Sequence, residues 1–504
     1  MNGRQFLKAT SIFFGVSSFF IYFGIKWLTK SFGGGGVSFE QILWNATNNT
    51  AGVDFNIVKS LIKCTIQAFF CSSIWFLFIY KFEEFFQLLF FTIGHPKQAF
   101  KIFLLTLKKW SRRIRISHML WMFALASVVI FCVQIQRLNK HTQLHEFLSS
   151  HFFNHSEDFI SKNSYFPKID NVNFAMKKDL VVVLAESLEQ SFYDPKISTK
   201  PLASRLRGHY ANSLYTNNMV TLKNLSWTIA AVTGWHFGLP LKLPPFIDGN
   251  NYHSKRGFLP GAQSIFEIFK KNGYTMVLIL GSDSDFSGQR TLFTTHGGFK
   301  ILDKKYWQMQ GWSLNEHGGT GWGFSDEFIL DRAYEEYKKL KKENVPFVLF
   351  VETVDTHAPE GYTPSDKRKY GDIRDPFAHA DELLNNFANQ IKKFESSNTA
   401  LAVIGDHYFM GNPPFLPDFS RRRIFNLFWS SDIKKGLNLK EDKNISALDI
   451  APTLLELAGG RWDNHKYGLG VSIFSAEPNL IERYGLDTLN QNLNKPSNSY
   501  NSFY

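Results

Sequence analysis

The stretch "DLVVVLAES" (Asp179–Ser187) sets six consecutive apolar residues, three of them valine, between an aspartate and a Glu-Ser pair. An apolar run without alternation suits a β-strand buried on both faces, as in the interior of a parallel sheet. Three later stretches repeat the form: "TMVLILGSD" (275–283), "FVLFVETVDTH" (347–357) and "ALAVIGDH" (400–407). Helical patterns lie between them. "QSIFEIFKKNG" ends in a glycine C-cap signal, and "SDEFILDRAYEEYKKLKKEN" opens on a Ser N-cap and gathers lysines towards its end. "SALDIAPTLLELAGG" (446–460) reads as one more capped helix. Strands alternating with helices predict an α/β fold with a mainly parallel central sheet covered by helices on both faces.

In open α/β sheets, ligands bind beyond the carboxyl ends of the strands. Here those ends carry Glu186, then Asp355 and His357, then Asp406 and His407. One polar strand end means little. Three that converge on carboxylates and imidazoles point to a site. Carboxylate oxygens with an imidazole suit one divalent metal, Mn²⁺, Mg²⁺ or Zn²⁺, better than a thiolate-loving ion. Such an ion activates a coordinated hydroxyl and neutralises a phosphate. "NLSWTIAAVTGWHFGLP" (224–240) offers the hydroxyl of Thr228 at the opening of a short apolar helix, a place that favours anions. Read locally, Thr228 serves equally well as a helix cap, and Ser226 is its neighbour and rival. Asp355 reads as a turn former or as a partner of the ligands. Glu189 and Asp449 read as caps or solvent-facing acids.

The chain has 504 residues and a net charge of +12, enough for more than one folding unit. Residues 1–140 hold sixteen Lys and Arg against four Asp and Glu, and the remaining residues balance at forty of each. The excess charge therefore accompanies the apolar segments, which argues for a membrane and against nucleic acid. Three spans are expected, at 10–28, 64–80 and 119–135. Residues 31–56 contain no Lys or Arg, whereas 81–117 contain eight. The positive-inside rule puts that basic loop in the cytoplasm and everything after the third span outside. All three cysteines (Cys64, Cys71 and Cys132) fall in the spans, so the exported half has no disulfide to support it. The expected layout is a membrane domain over 1–140, a connector over 141–176, a catalytic domain over 177–486, and a disordered Asn- and Ser-rich tail over 487–504.

A set of motifs, taken together, is more specific than any one of them. "VVVLAESLEQSFYD", "LSWTIAAVTGWHFGLPL", "FSGQRTLFTTHGGF", "GWGFSDEFILDRAYEEY", "VETVDTHAPEGY", "GDHY" and "ALDIAPTLLELAG" occur in this order between about residues 178 and 475. They resemble the alkaline phosphatase/sulfatase superfamily, and within it the membrane-anchored phosphoglycerol transferase branch, which includes phosphoglycerol transferase I and is related to lipoteichoic acid synthases. The resemblance implies that Glu186, Thr228, Asp406 and His407 bind the metal and that Thr228 is the nucleophile. It implies that His357 contacts the substrate phosphate or protonates the leaving group. Arg290, His236 and His296 are further candidates for substrate contacts. The implied reaction moves phosphoglycerol from phosphatidylglycerol to a glycan hydroxyl through a phospho-threonine intermediate. The acceptor would be a periplasmic glucan, O-antigen or capsule, and the enzyme would sit in a bacterial inner membrane with its catalytic domain on the periplasmic side.

The nearest alternative is a phosphoethanolamine transferase acting on lipopolysaccharide or another glycan. Such enzymes usually carry disulfides in the exported domain, and this chain has no cysteine there. A free phosphodiesterase needs only water in place of the acceptor. A sulfatase activity needs a Cys or Ser in a C/S-x-P-x-R setting, which "LSWTIAAV" does not supply. A catalytically dead membrane sensor is disfavoured by the intact set of candidate ligands.

Overall fold

A computed structural model of the chain describes residues 3–32, 37–47, 52–82, 84, 101–152, 158–194, 202, 204–243, 257–394, 398–433 and 443–504. The chain divides into two compact units. One comprises Met1–Phe32 and Phe55–His145, the other Gly33–Asp54 and Glu146–Tyr504.

The first unit is helical. Helix α1 (Gly3–Phe32), helix α3 (Phe55–Tyr80) and the Ser117–Thr142 part of helix α4 (Lys101–Thr142) are each long and apolar enough to cross a membrane. Small residues on α1 let its neighbours approach, as in membrane helix pairs. The Trp75 indole N–H donates to the Ser11 carbonyl at 2.9 Å, and the Ser11 and Ser127 hydroxyls lie 3.2 Å apart. Leu7, Phe82, Leu120 and Ala124 form a buried apolar cluster. Residues 83 and 85–100 of the basic loop expected in the cytoplasm lie outside the described residues.

Helix α2 (Phe39–Thr47) follows α1 in sequence but belongs to the second unit. Trp44 is buried there, and its indole N–H donates to the carbonyl and hydroxyl of Ser287, each at 3.1 Å.

The second unit is built on a six-stranded sheet. Its strands are β1 (Asp179–Ala185), β2 (Thr275–Leu280), β3 (Lys300–Leu302), β4 (Phe347–Glu352), β5 (Thr399–Gly405) and β6 (Asn426–Ser430). They lie in the order β3-β2-β4-β1-β5-β6, parallel except for β6 on the edge. Every residue of β1, β4 and β5 is buried, which is the reason their sequences show no alternation. Helices α6 (Asp326–Glu343) and α7 (Arg374–Lys393) carry one buried face each. Ser325 caps α6, as its sequence predicts.

One expectation fails outright. Residues 487–504 are not disordered. Helix α8 (Leu486–Asn494) and a further helical turn at Asn498–Asn501 fold back onto the second unit, with Leu489, Leu493 and Tyr500 fully buried. Leu486, Leu489 and Leu493 recur at helical spacing, a pattern masked by the Asn- and Ser-rich composition around it.

Candidate active site

Strand register builds the centre of the site. Ala185, the last residue of β1, pairs with Gly405, the last residue of β5. The next residues, Glu186 and Asp406, therefore leave the sheet side by side. Gly405 has a steric role in this. A methyl group at its Cα would overlap the carbonyl oxygen of Leu188, so the chain carrying Asp406 can lie against the β1 turn only without a side chain there. The Ser187 backbone N–H then donates to Asp406 Oδ1 at 2.8 Å, and so does that of His407.

Glu186, Asp406 and His407 are all buried, and one ligand atom from each lies within 4.8 Å of the others. His407 Nε2 is 3.2 Å from Asp406 Oδ2 and 3.6 Å from Glu186 Oε1. The other ring nitrogen, Nδ1, sits 2.8 Å from the Tyr408 carbonyl. A carbonyl can only accept, so Nδ1 carries a hydrogen and Nε2 is the nitrogen that faces the carboxylates. That is the arrangement of a metal-binding histidine held by a backbone partner. Asp406 Oδ2 is buried without a hydrogen bond.

The electrostatics ask for a cation. Burial raises the Asp406 carboxyl, and the charge of Glu186 raises it further. Glu352, at the end of β4, is pushed up to about 8 by burial, although Gln289 donates to it. For His407, burial works against the proton, but Asp406 and Glu186 prevail and raise its pKa. Two buried carboxylates beside one imidazole, with an unpartnered oxygen on Asp406, fit a divalent metal.

Thr228 completes the group. It is the first residue of helix α5 (Thr228–Phe237), and the preceding Trp227 occupies the cap position. The hydroxyl is thus not spent on capping. Thr228 Oγ1 lies 3.3 Å from Glu186 Oε2 and 3.4 Å from His407 Nε2. It is half-buried at the positive end of its helix.

His357 follows β4 and is also half-buried. Its Nδ1 donates to the Ala358 carbonyl at 2.6 Å, which leaves Nε2 for other chemistry. The Trp322 ring lies 5.0 Å from its ring. Asp355 turns the chain: its carboxylate accepts from the Asp326 N–H at 2.8 Å, while the Asp326 carboxylate accepts from Val354 and Asp355.

The remaining candidates have other partners. Arg290 pairs with Asp303 at 2.5 Å and with Asp285, so its charge is already matched by two carboxylates. His236 and His296, expected as substrate contacts, are core residues instead. His236 is fully buried between the rings of Phe266 and Phe293, with Ser264 Oγ 3.3 Å from Nδ1. His296 is 1% exposed and lies between the Phe258 carbonyl and Glu267. Burial leaves neither of them open to a ligand.

Other residues of the site were not singled out by sequence. Ser187 donates to Glu186 Oε1 at 2.7 Å, and Thr353 Oγ1 accepts from the Glu186 N–H at 3.0 Å. Glu189 is no surface cap. It is fully buried, accepts from the Phe409 N–H at 2.8 Å, and lies 3.5 Å from the buried Arg422. Burial pushes its carboxyl up to about 7 against the pull of that guanidinium. Ser187 and Thr353 adjoin a strand end, a signal that a search could use. The buried Glu189–Arg422 pair has no local signature.

Two curated relatives are both named phosphoglycerol transferase I. The one from Xanthomonas axonopodis pv. citri is 29% identical over 295 residues, which is 56% of this chain and 41% of that protein. The one from Escherichia coli is 27% identical over 314 residues, 60% of this chain and 39% of that protein. The chain thus spans about two-fifths of the length of these relatives. The integral membrane lipooligosaccharide phosphoethanolamine transferase A of Neisseria meningitidis shares the fold. It covers 90% of this chain and 84% of its own, with a TM-score of 0.50 at 13% identity. The sulfatase family model matches residues 178–460, more than half of the chain and the whole span from β1 to the helix after Asp449. The chain belongs to the sulfatase family.

Proposed function

We propose that the protein transfers a phosphoglycerol group from phosphatidylglycerol to a glycan hydroxyl through a covalent intermediate on Thr228. The observation that carries this reading is the hydroxyl of Thr228 set 3.3–3.4 Å from a buried carboxylate and a buried imidazole, at the start of a helix. The two relatives named phosphoglycerol transferase I support the choice of group.

Glu186, Asp406, His407 and Thr228 would hold one divalent metal, most simply Mn²⁺. When bound, it supplies Lewis-acid activation of the hydroxyl and neutralises phosphate charge. The chain's own residues do the rest. Thr228 Oγ1 attacks phosphorus, and its proton has Glu186 Oε2 as the acceptor at hand. The bond from phosphorus to the diacylglycerol oxygen breaks, and His357 protonates the departing oxygen. A phosphoglyceryl-threonine ester remains. A glycan hydroxyl then attacks phosphorus and gives its proton to the His357 imidazole left neutral by the first step, while the bond from phosphorus to Thr228 Oγ1 breaks and that oxygen takes back the proton held by Glu186. The helix start at Thr228 stabilises the developing negative charge. A chain anchored by its apolar helices keeps such a site beside a lipid donor; an inner-membrane location with the site on the periplasmic side is part of the proposal.

The test uses full-length protein, head-group-labelled phosphatidylglycerol and Mn²⁺. Thr228→Ala lowers diacylglycerol release on the order of 10³-fold or more. Equal turnover by the two proteins would refute the reading.

A further inference from the structure

The segment Gly33–Asp54 continues directly into helix α1 at one end and helix α3 at the other, yet it belongs to the second unit, which holds the candidate site. Two of its contacts lead to the same place.

The first is made by Trp44. Its indole N–H donates to the carbonyl and hydroxyl of Ser287, and the Ser287 hydroxyl donates in turn to Asn45 Oδ1 at 3.0 Å. Ser287 has φ 56° and ψ 16°. That is the left-handed region, which a residue with a side chain keeps only when its surroundings hold it there. The residue before it, Phe286, packs its ring 5.0 Å from that of Trp322.

The second contact is the turn at Gly52–Asp54. Gly52 lies against Asp283, and the Asp54 carboxylate lies against Gly321, so close that a methyl group on either glycine would overlap the aspartate. Gly321 carries Trp322 as its next residue. Trp322 is buried, with its ring 5.0 Å from the His357 ring. Both contacts therefore converge on the indole beside His357. The Nδ1 bond to the Ala358 carbonyl is a pivot about which the imidazole can tilt. A buried indole at its side restricts that tilt. A general acid acts only with its proton aimed at the leaving oxygen, and small displacements are expensive.

We propose that the connection between α1 and α3 is a positioning element of the active site: Trp44 and Asp54 hold Trp322 in place, and Trp322 holds the His357 imidazole in place for proton transfer to the departing oxygen. The inference rests on the role given to His357 under the proposed function. Trp44, Ser287 and Trp322 act through that imidazole and donate no proton themselves.

The test compares two donors with full-length protein and Mn²⁺. The alkoxide of phosphatidylglycerol must be protonated as it leaves, whereas bis(p-nitrophenyl) phosphate releases p-nitrophenolate as the anion. His357→Ala sets the signature: diacylglycerol release falls about 10²-fold or more, and p-nitrophenolate release changes less than about threefold. Trp44→Phe keeps a ring against Phe258 and removes the N–H. This variant and Trp322→Ala should each lower kcat for phosphatidylglycerol about tenfold, with the aryl diester again within about threefold. A merely destabilised protein loses both donors alike. Equal losses with the two donors in both variants, or undiminished diacylglycerol release in both, would overturn the inference and leave Thr228-dependent transfer standing. Selective loss in Trp322→Ala alone would overturn the role of the connection. No selectivity in His357→Ala would remove the acid role, and the inference with it. Diacylglycerol release that survives Thr228→Ala would instead refute the covalent mechanism, while a donor-selective loss in Trp44→Phe would still support the positioning role.

Discussion

Ser187 shows how much of a site can rest on one small side chain. Its backbone N–H fixes Asp406 and its hydroxyl fixes Glu186, so one residue orients two of the three clustered ligand candidates. Partners of this kind typically contribute 10–100-fold to metal affinity. Ser187→Ala should therefore raise the Mn²⁺ concentration for half-maximal diacylglycerol release by about 10–100-fold, with activity restored at saturating metal. Chelation should abolish release in both proteins, sooner in the variant. At this scale the sequence was most readable. Glu186, Asp406 and His407 each directly follow an apolar strand, where a charged residue is conspicuous. His236 and His296 misled because a histidine in a motif looks the same whether it faces a ligand or a cluster of phenylalanines.

At the scale of elements, β1 and β5 act as a pair, and their register places both acids. Gly405 is the weak point, because it touches a backbone carbonyl and not a flexible side chain. Gly405→Ala should cost about 1–3 kcal/mol through overpacking. A lowered thermal midpoint of the full-length protein, together with weaker metal binding, would report it; an unchanged midpoint would mean the β1 turn can shift aside. The Glu189–Arg422 pair works at the same scale. It binds the β1 turn to the segment after His407, joining residues 233 positions apart. Sequence reading placed β1, β2, β4, β5 and the α5 start, since each announces itself by hydrophobic pattern, but not the edge strands β3 and β6. The pair escaped because burial of a charge depends on a partner far along the chain.

For the whole molecule, the C-terminal helices are more than an appendage. Asn490 Oδ1 accepts from the Lys223 N–H at 2.8 Å, and the Lys242 ammonium donates to the Leu493 carbonyl at 2.9 Å. The chain ends therefore brace the segments entering and leaving helix α5, and with it Thr228. Asp158 anchors this region. It accepts from Ser497 Oγ at 2.6 Å and from the Ser499 N–H at 2.8 Å. Burial works against its charge, but these bonds prevail and hold its carboxyl at about 2. A folded-state pKa below the usual value of 3.8 stabilises the fold above that value and ceases to do so as pH falls through about 2. Asp158→Ala should cost about 1 kcal/mol at most near neutral pH, given its partial exposure. The difference in thermal midpoint between wild type and variant should shrink between pH 4 and pH 2. A constant difference across that range would show that the bonds do not depend on charge.

By itself, the sequence determined the parallel α/β core, the three apolar helices, the acids and imidazoles at the strand ends, and the family. All of these are written in short windows, as uninterrupted apolar runs and what immediately follows them. Tertiary structure alone decided that Thr228 turns its hydroxyl towards Glu186 and His407, that Glu189 is a buried counter-ion, that two motif histidines belong to the core, and that an Asn- and Ser-rich end is helical and packed. Each of those outcomes depends on contacts between residues tens to hundreds of positions apart. Such contacts settle which polar groups are stripped of water and which are left for chemistry, and no local pattern records them.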